Sequence, residues 1–136
     1  MPETSILLAD DNFFMLDHVR RTLEREHQFK VIAAVSDPNA VLLECARLKP
    51  DVIVLDISMG DQSGIDLALR LRDSGSHSKV VFLTVHEDRD FLNAAIGAGG
   101  SAYVVKSRLS ADLIRAINAA LDGKLFVSLS LLENGS

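Results

Sequence analysis

The sequence predicts a doubly wound α/β domain, and three observations carry that prediction. Five short runs rich in β-branched and aliphatic residues recur along the chain, and the segments between them place apolar residues at helical spacing. The runs are also apolar nearly throughout rather than alternating with polar residues. A strand that is apolar on both sides must be covered on both sides, which is the setting of a parallel sheet between two helical layers joined by right-handed crossovers.

The elements follow in order. Ile6–Ala9 is the first expected strand, and Leu16, Val19 and Leu23 give the next segment one apolar stripe. Val31–Val35 is the second strand, followed by a helix carrying Val41, Leu42, Cys45 and Leu48, with Asp37 as its N-cap and Pro38 at its first position. Val52–Leu55, Val80–Leu83 and Tyr103–Val105 are the remaining strands. The last helix presents Leu113, Ile114, Ile117 and Leu121, with Ser110 as its expected cap and Gly123 as its stop. Beyond it Leu125, Val127, Leu129 and Leu131 alternate with Phe126, Ser128 and Ser130. That period-two pattern is too apolar for a flexible linker: it reads as a tail packed on its own domain or as part of a partner surface.

Composition narrows the class of protein. The chain has 136 residues, enough for one core and too few for two ordinary domains, with 48% apolar and 24% charged residues, as in globular proteins. A net charge of -5 without a Lys/Arg run argues against broad binding to nucleic acid or an anionic membrane. The first residues lack the charged and apolar segments of a signal peptide, so the cytoplasm is the expected location. Cys45 is the only cysteine, which excludes an intramolecular disulfide and reads as inert helix packing.

The informative polar groups stand where the apolar runs stop. Asp10 and Asp11 follow the first strand, Asp56 the third, Thr84 the fourth and Lys106 the fifth. In an open parallel sheet these C-terminal strand ends share one edge, where ligands bind beside the reversal of strand order. Any one of these residues could cap a helix or solvate a loop, but that account explains the whole set poorly. Carboxylates gathered there would repel by roughly 4 kcal/mol per pair at about 4 Å and an effective dielectric near 20, so a cation is implied. Hard oxygen ligands in a shallow cleft suit Mg²⁺, which commonly joins one or two carboxylates to phosphate oxygens. A carboxylate can itself attack a phosphoryl donor while a metal, an ammonium and a hydroxyl stabilise the transferring oxygens, and Asp56, Lys106 and Thr84 supply the protein's parts.

With Met59, Gly64 and Tyr103-Val104-Val105 added in order and at family spacing, this constellation resembles the receiver domains of bacterial two-component response regulators, from about Ser5 to Gly123. The resemblance implies a flavodoxin-like (βα)5 fold with five parallel strands in the order 2-1-3-4-5. It implies a receiver over residues 1–123, with 124–136 as a tail or the start of an interdomain linker. It assigns Asp56 as phosphoacceptor, and Asp10, Asp11, Asp56 and the Ser58 backbone carbonyl as the Mg²⁺ site. Thr84 and Lys106 hold phosphoryl oxygens, Tyr103 turns inward as a switch, and Ser58 and His86 tune dephosphorylation. The implied phosphodonor is a sensor histidine kinase, and a second copy of the chain is a candidate partner. Such a domain catalyses only its own phosphotransfer and dephosphorylation. The last helix resembles receivers that precede a LuxR-type helix-turn-helix domain, which implies transcription regulation, with DNA bound only through an output domain outside these residues.

The sequence also departs from the family. Gly60 stands where Pro usually follows Met59, freeing the loop after Asp56, and Ser107 replaces the frequent Pro after Lys106, removing any expectation of a cis peptide there. Gly99-Gly100 and Ala102 suggest a pliant approach to the last strand. His18, His27 and His77 read as ordinary histidines, and His86 lacks a second histidine at ligand spacing.

Rival functions fare less well. Gly97-Ala98-Gly99-Gly100-Ser101-Ala102 nominally fits a dinucleotide fingerprint but precedes a strand instead of opening a helix, and there is no P-loop Gly-Lys-Ser/Thr. An aspartate-nucleophile phosphohydrolase would want a second Asp at position 58, where Ser stands. A receiver-like interaction module that works without phosphorylation keeps the fold but leaves the complete Asp-Thr-Lys set unexplained.

Overall fold

The computed structural model describes residues 3–59, 62–85 and 89–128. The chain runs β1 (Thr4–Ala9), α1 (Phe13–Glu24), β2 (Phe29–Val35), α2 (Pro38–Leu48), β3 (Val52–Asp56), β4 (Ser58–Met59), β5 (Gln62–Ser63) and α3 (Gly64–Asp73). It continues with β6 (Lys79–Thr84), α4 (Arg89–Gly97), β7 (Ala102–Val105), a 3-10 turn (Lys106–Arg108), α5 (Leu109–Leu121) and β8 (Phe126–Val127). The main sheet has the order β2-β1-β3-β6-β7-β8, and every pairing in it is parallel. Its first five strands are the five expected from the apolar runs, in the expected 2-1-3-4-5 order. To these the structure adds β8 at the edge beside β7, because Phe126 and Val127 supply apolar side chains and backbone groups that extend the ladder. A separate antiparallel pair, β4–β5, closes the loop after Asp56.

Alternate side chains of each strand enter opposite layers, as the two-residue period requires. Leu7, Ile53, Leu55, Phe82 and Tyr103 meet Val41 and Cys45 of α2, Leu67 and Leu71 of α3, and Leu92 of α4. Ile6, Leu8, Val54, Val81 and Val104 meet Leu16, Val19 and Leu23 of α1 together with Leu113 and Ile117 of α5. Two helices thus cover one face and three the other, and the functional edge is held between two cores. Cys45 is buried as expected, and burial, reinforced by neighbouring Glu44, pushes its thiol up to about 12, which leaves little reactive thiolate.

Local boundaries show why particular residues stand where they do. The Asp37 side chain accepts the Asn39 N–H at 2.9 Å and Pro38 opens α2, as the sequence indicates. The expected Ser110 cap is corrected: the 3-10 turn feeds directly into α5, Leu109 is its first residue, and Ser110 lies inside the helix. The Gly99-Gly100 approach to β7 is specific rather than pliant. Gly99 has φ +89, in the left-handed region that favours glycine, and a Cβ on Gly100 would lie 2.6 Å from the Phe82 ring and 2.8 Å from the Ala95 carbonyl oxygen. Among the described residues there are no cis peptide bonds, so the Lys106–Ser107 bond is trans.

Candidate functional site

Four strand ends and one loop make the site. β1 ends at Ala9, but the Asp10 N–H still donates to the Val35 carbonyl at 3.1 Å, so the ladder aims the first acidic side chain. Asp10 Oδ1 accepts the Asn12 N–H at 2.9 Å, and Asn12 Oδ1 caps α1 through the Met15 N–H at 3.1 Å. This chain of bonds sets Asp10 inward, only 2% exposed, and leaves Asp11 exposed at the mouth.

Asp56 is the last residue of β3, 4% exposed, and registers beside Leu83; Thr84 ends β6 beside Val105, fully inside. Lys106, the first residue past β7, extends across the edge: its Nζ lies 2.9 Å from Asp10 Oδ2 and 3.4 Å from Asp56 Oδ2. Carboxylate oxygens of Asp10, Asp11 and Asp56 all lie within 4.8 Å of one another. The convergence expected from the strand ends is therefore present, with residues almost a hundred positions apart in contact.

The electrostatics of this cluster are unbalanced. Burial pushes the Asp56 carboxyl up to about 7; the neighbouring Asp10 charge and hydrogen bonding to Asp10 add to the rise, while Lys106 and the Ser58 N–H, 3.2 Å from Oδ1, oppose it. One ammonium against three carboxylates leaves an excess of negative charge. Oxygens of three carboxylates at this separation, one of them open to solvent, fit a hard divalent cation.

The loop after Asp56 is built closely around it. Ser58, exposed, opens the β4–β5 pair, and Met59 is fully buried beneath. Gly64 is where α3 begins and its N–H donates to the Ile57 carbonyl. A Cβ at Gly64 would collide with the Asp56 carbonyl oxygen and lie 2.9 Å from Ile57 Cα. Gly64 belongs to the sequence motif, and the close approach of α3 to β3 supplies the reason. Tyr103 is buried in the layer containing Phe82 and Leu92, so its ring occupies the inward position here. Gly60 and His86 lie outside the described residues.

Sequence reasoning missed a buried polar pair, Asp112 and Ser128. Asp112, 1% exposed on α5, accepts hydrogen bonds from Arg108 Nε at 3.0 Å and from the Ser128 hydroxyl at 2.8 Å. The available signal was an acidic residue among the apolar positions of the last helix, followed by a serine within the period-two tail.

Comparison with known proteins agrees with this geometry. The chain is 32% identical over 126 residues to the nitrate/nitrite response regulator NarP of Escherichia coli, covering 90% of this chain and 59% of that protein. It is 29% identical to the nitrate/nitrite response regulator homolog of Haemophilus influenzae, covering 93% of this chain and 61% of that one. The chain thus spans less than two thirds of the length of these relatives. Among solved structures, a LuxR-family two-component response regulator from an Aurantimonas species superposes with a TM-score of 0.92 at 28% identity, covering 96% of this chain and 94% of that one. The isolated receiver of RcsB from Salmonella enterica serovar Typhimurium, with the phosphomimetic BeF3-, gives 0.89 at 25% identity, covering 96% and 97%. No helix among the described residues is long and apolar enough to cross a membrane. Residues 6–118 match the response regulator receiver domain family, and the chain belongs to that family as the receiver of a two-component response regulator.

Proposed function

We propose that Asp56 is the phosphoacceptor of this receiver and that the cluster around it is a Mg²⁺-dependent phosphoryl-transfer site. The observation that carries the reading is the buried Asp56 carboxylate at a strand end, facing Lys106 Nζ at 3.4 Å and two further carboxylates. Asp10, Asp11, Asp56 and the Ser58 backbone carbonyl would hold Mg²⁺, which when bound neutralises charge on carboxylate and phosphoryl oxygens. An Asp56 carboxylate oxygen attacks phosphorus, the bond from phosphorus to the donor breaks, and the donor leaves with that electron pair. Lys106 exchanges its hold on Asp10 for a phosphoryl oxygen, and the Thr84 hydroxyl takes another. Tyr103 behind Thr84 and the adjoining surface then shift between two populations, which is the output. Ser58 and His86, by their positions in the family pattern, would tune the lifetime of the acyl phosphate.

The receiver unit is taken as residues 1–123, with 124–136 as a tail or the start of an interdomain linker, of which Phe126–Ser128 pack back on β7. The phosphodonor is a sensor histidine kinase. RcsB has been solved as dimers bound to DNA, and by analogy this chain acts in a homodimer whose DNA contacts come from an output domain, for transcription regulation in the cytoplasm. Ser58, in place of a second acid, argues against a phosphohydrolase with turnover on external substrates.

Incubation with Mg²⁺ and acetyl phosphate followed by intact mass should give one acid-stable, base-labile phosphoryl adduct, absent from folded Asp56→Asn. An adduct that persists in Asp56→Asn would move the phosphoacceptor elsewhere. No adduct under conditions that label other receivers would favour the phosphorylation-independent module.

A further inference from the structure

Outside the carboxylate cluster, Ser128 joins the chain that follows α5 to the strand that carries Lys106. Ser128 is fully buried. Its hydroxyl oxygen accepts the Val105 N–H at 3.0 Å and donates to Asp112 Oδ2 at 2.8 Å, while its own N–H donates to the Tyr103 carbonyl at 3.0 Å. β8 pairs with β7 at Phe126–Ala102 and Val127–Tyr103, and the Arg115 guanidinium sits 5.5 Å above the Phe126 ring.

These bonds are costly to leave unmade. The Val105 N–H points off the outer edge of β7, where a buried donor without a partner costs about 1–3 kcal/mol. Asp112 is a buried carboxylate, tolerable because Arg108 and the Ser128 hydroxyl satisfy it. A tail serving only as cover for apolar side chains would need neither group. Val105 is, moreover, flanked on one side by Lys106, whose ammonium spans Asp10 and Asp56, and lies two residues from Tyr103.

We propose that Ser128 and Asp112 form a latch through which occupancy of the Asp56 site loosens the hold on residues 125–128, the segment that carries β8. The proposal rests on the phosphoacceptor reading above. When Lys106 leaves Asp10 for a phosphoryl oxygen, the end of β7 shifts with it and the Val105 N–H is drawn off the Ser128 hydroxyl. The coupling is reciprocal, so breaking the latch favours the occupied site.

Beryllium fluoride with Mg²⁺ serves as the probe. Fluorine NMR reports the bound adduct, and amide hydrogen exchange reports the latch. With the adduct bound, the Val105 and Ser128 amides should exchange about tenfold faster while the Ile53 amide in the core keeps its protection. Ser128→Ala should bind the probe at a half-saturating concentration at least about fivefold lower, and Asp112→Ala should move it in the same direction. An adduct that forms while both amides exchange as before overturns the latch, as does an unchanged or higher half-saturation in folded Ser128→Ala. A wild-type chain that shows no bound fluorine signal overturns the phosphoacceptor reading instead, and the two failures are distinguished by the spectrum.

Discussion

Asp51 and Asp56 stand at opposite ends of the same central strand, one just before β3 and the other its last residue, and they are treated in opposite ways. At the N-terminal end, Asp51 Oδ2 accepts the Ser5 N–H at 2.8 Å and the Ser5 hydroxyl at 3.1 Å, while the Asp51 N–H returns to the Ser5 hydroxyl at 2.9 Å. The clasp is closed, exposed and neutral in its demands. At the C-terminal end, Asp56 is buried beside two other carboxylates with one ammonium between them, and burial pushes its carboxyl up to about 7. The difference teaches where this domain invests its order: one edge of the sheet completes its hydrogen bonds locally, and the other retains negative charge that a bound cation would balance.

The sharpest way to break that comparison is pH. Unfolded, Asp56 loses its proton near the ordinary carboxylate range; folded and metal-free, it keeps the proton up to about 7. The folded state therefore binds more protons between those values, so its stability is full below the unfolded value and falls as pH rises through about 7. Urea unfolding of the chelator-treated protein should lose stability on the order of a few kcal/mol between about pH 4 and pH 8 from this group. Asp56→Asn should remove most of that slope, leaving the variant more stable than wild type at pH 8, and Mg²⁺ should flatten the wild-type curve. A variant with the same slope as wild type would show that Asp56 does not carry the imbalance.

Gly64 sharpens the comparison sterically. Because a Cβ there meets the backbone of Asp56 and Ile57, Gly64→Ala must move α3 away from β3 or push Asp56 off its line to Lys106. Overpacking of this kind costs about 1–3 kcal/mol. The variant should also accumulate the phosphoryl adduct more slowly than wild type at temperatures where circular dichroism shows both folded. Adduct formation at the wild-type rate would mean that the loop absorbs the methyl without moving the carboxylate.

The two ends also differ in how far the sequence made them legible. The five main strands could be read because a parallel strand buried on both faces is an apolar run, and the site could be read because Asp10, Asp56, Thr84 and Lys106 each interrupt or end such a run. Sheet topology then brings them together without any further information. What could not be read depends on approach between backbones or on very short elements. Gly64 looks like any helix-start glycine until α3 is seen against β3. β4 and β5 have two residues each, below the length at which periodicity speaks, whereas the period-two pattern from Leu125 onward does indicate a packed tail or partner surface, and Phe126 and Val127 pair with β7. Ser110 has the chemistry of a cap, but the 3-10 turn that begins at Lys106 starts the helix two residues earlier than such a cap would, at Leu109. Ser128 and Asp112 are single polar residues in apolar surroundings, and only their contact gives them meaning.

Asp51 offers the smallest effect and the cleanest control. Asp51→Ala removes the acceptor of the Ser5 N–H and hydroxyl, yet leaves the Asp51 N–H free to donate to Ser5 and the Lys79 N–H to donate to the carbonyl of residue 51, so the strands stay in register. Because the lost bonds are solvent-exposed, water replaces part of what is removed, and the expected cost is about 1 kcal/mol in urea unfolding. The adduct on Asp56 should form at the wild-type rate and to the same extent, since β3 carries its core residues Ile53, Val54 and Leu55 between the two carboxylates and these hold the strand from both layers. If intact mass instead shows slower phosphorylation in proportion to the lost stability, then the two ends of β3 are not independent, and the clasp belongs to the machinery that positions Asp56.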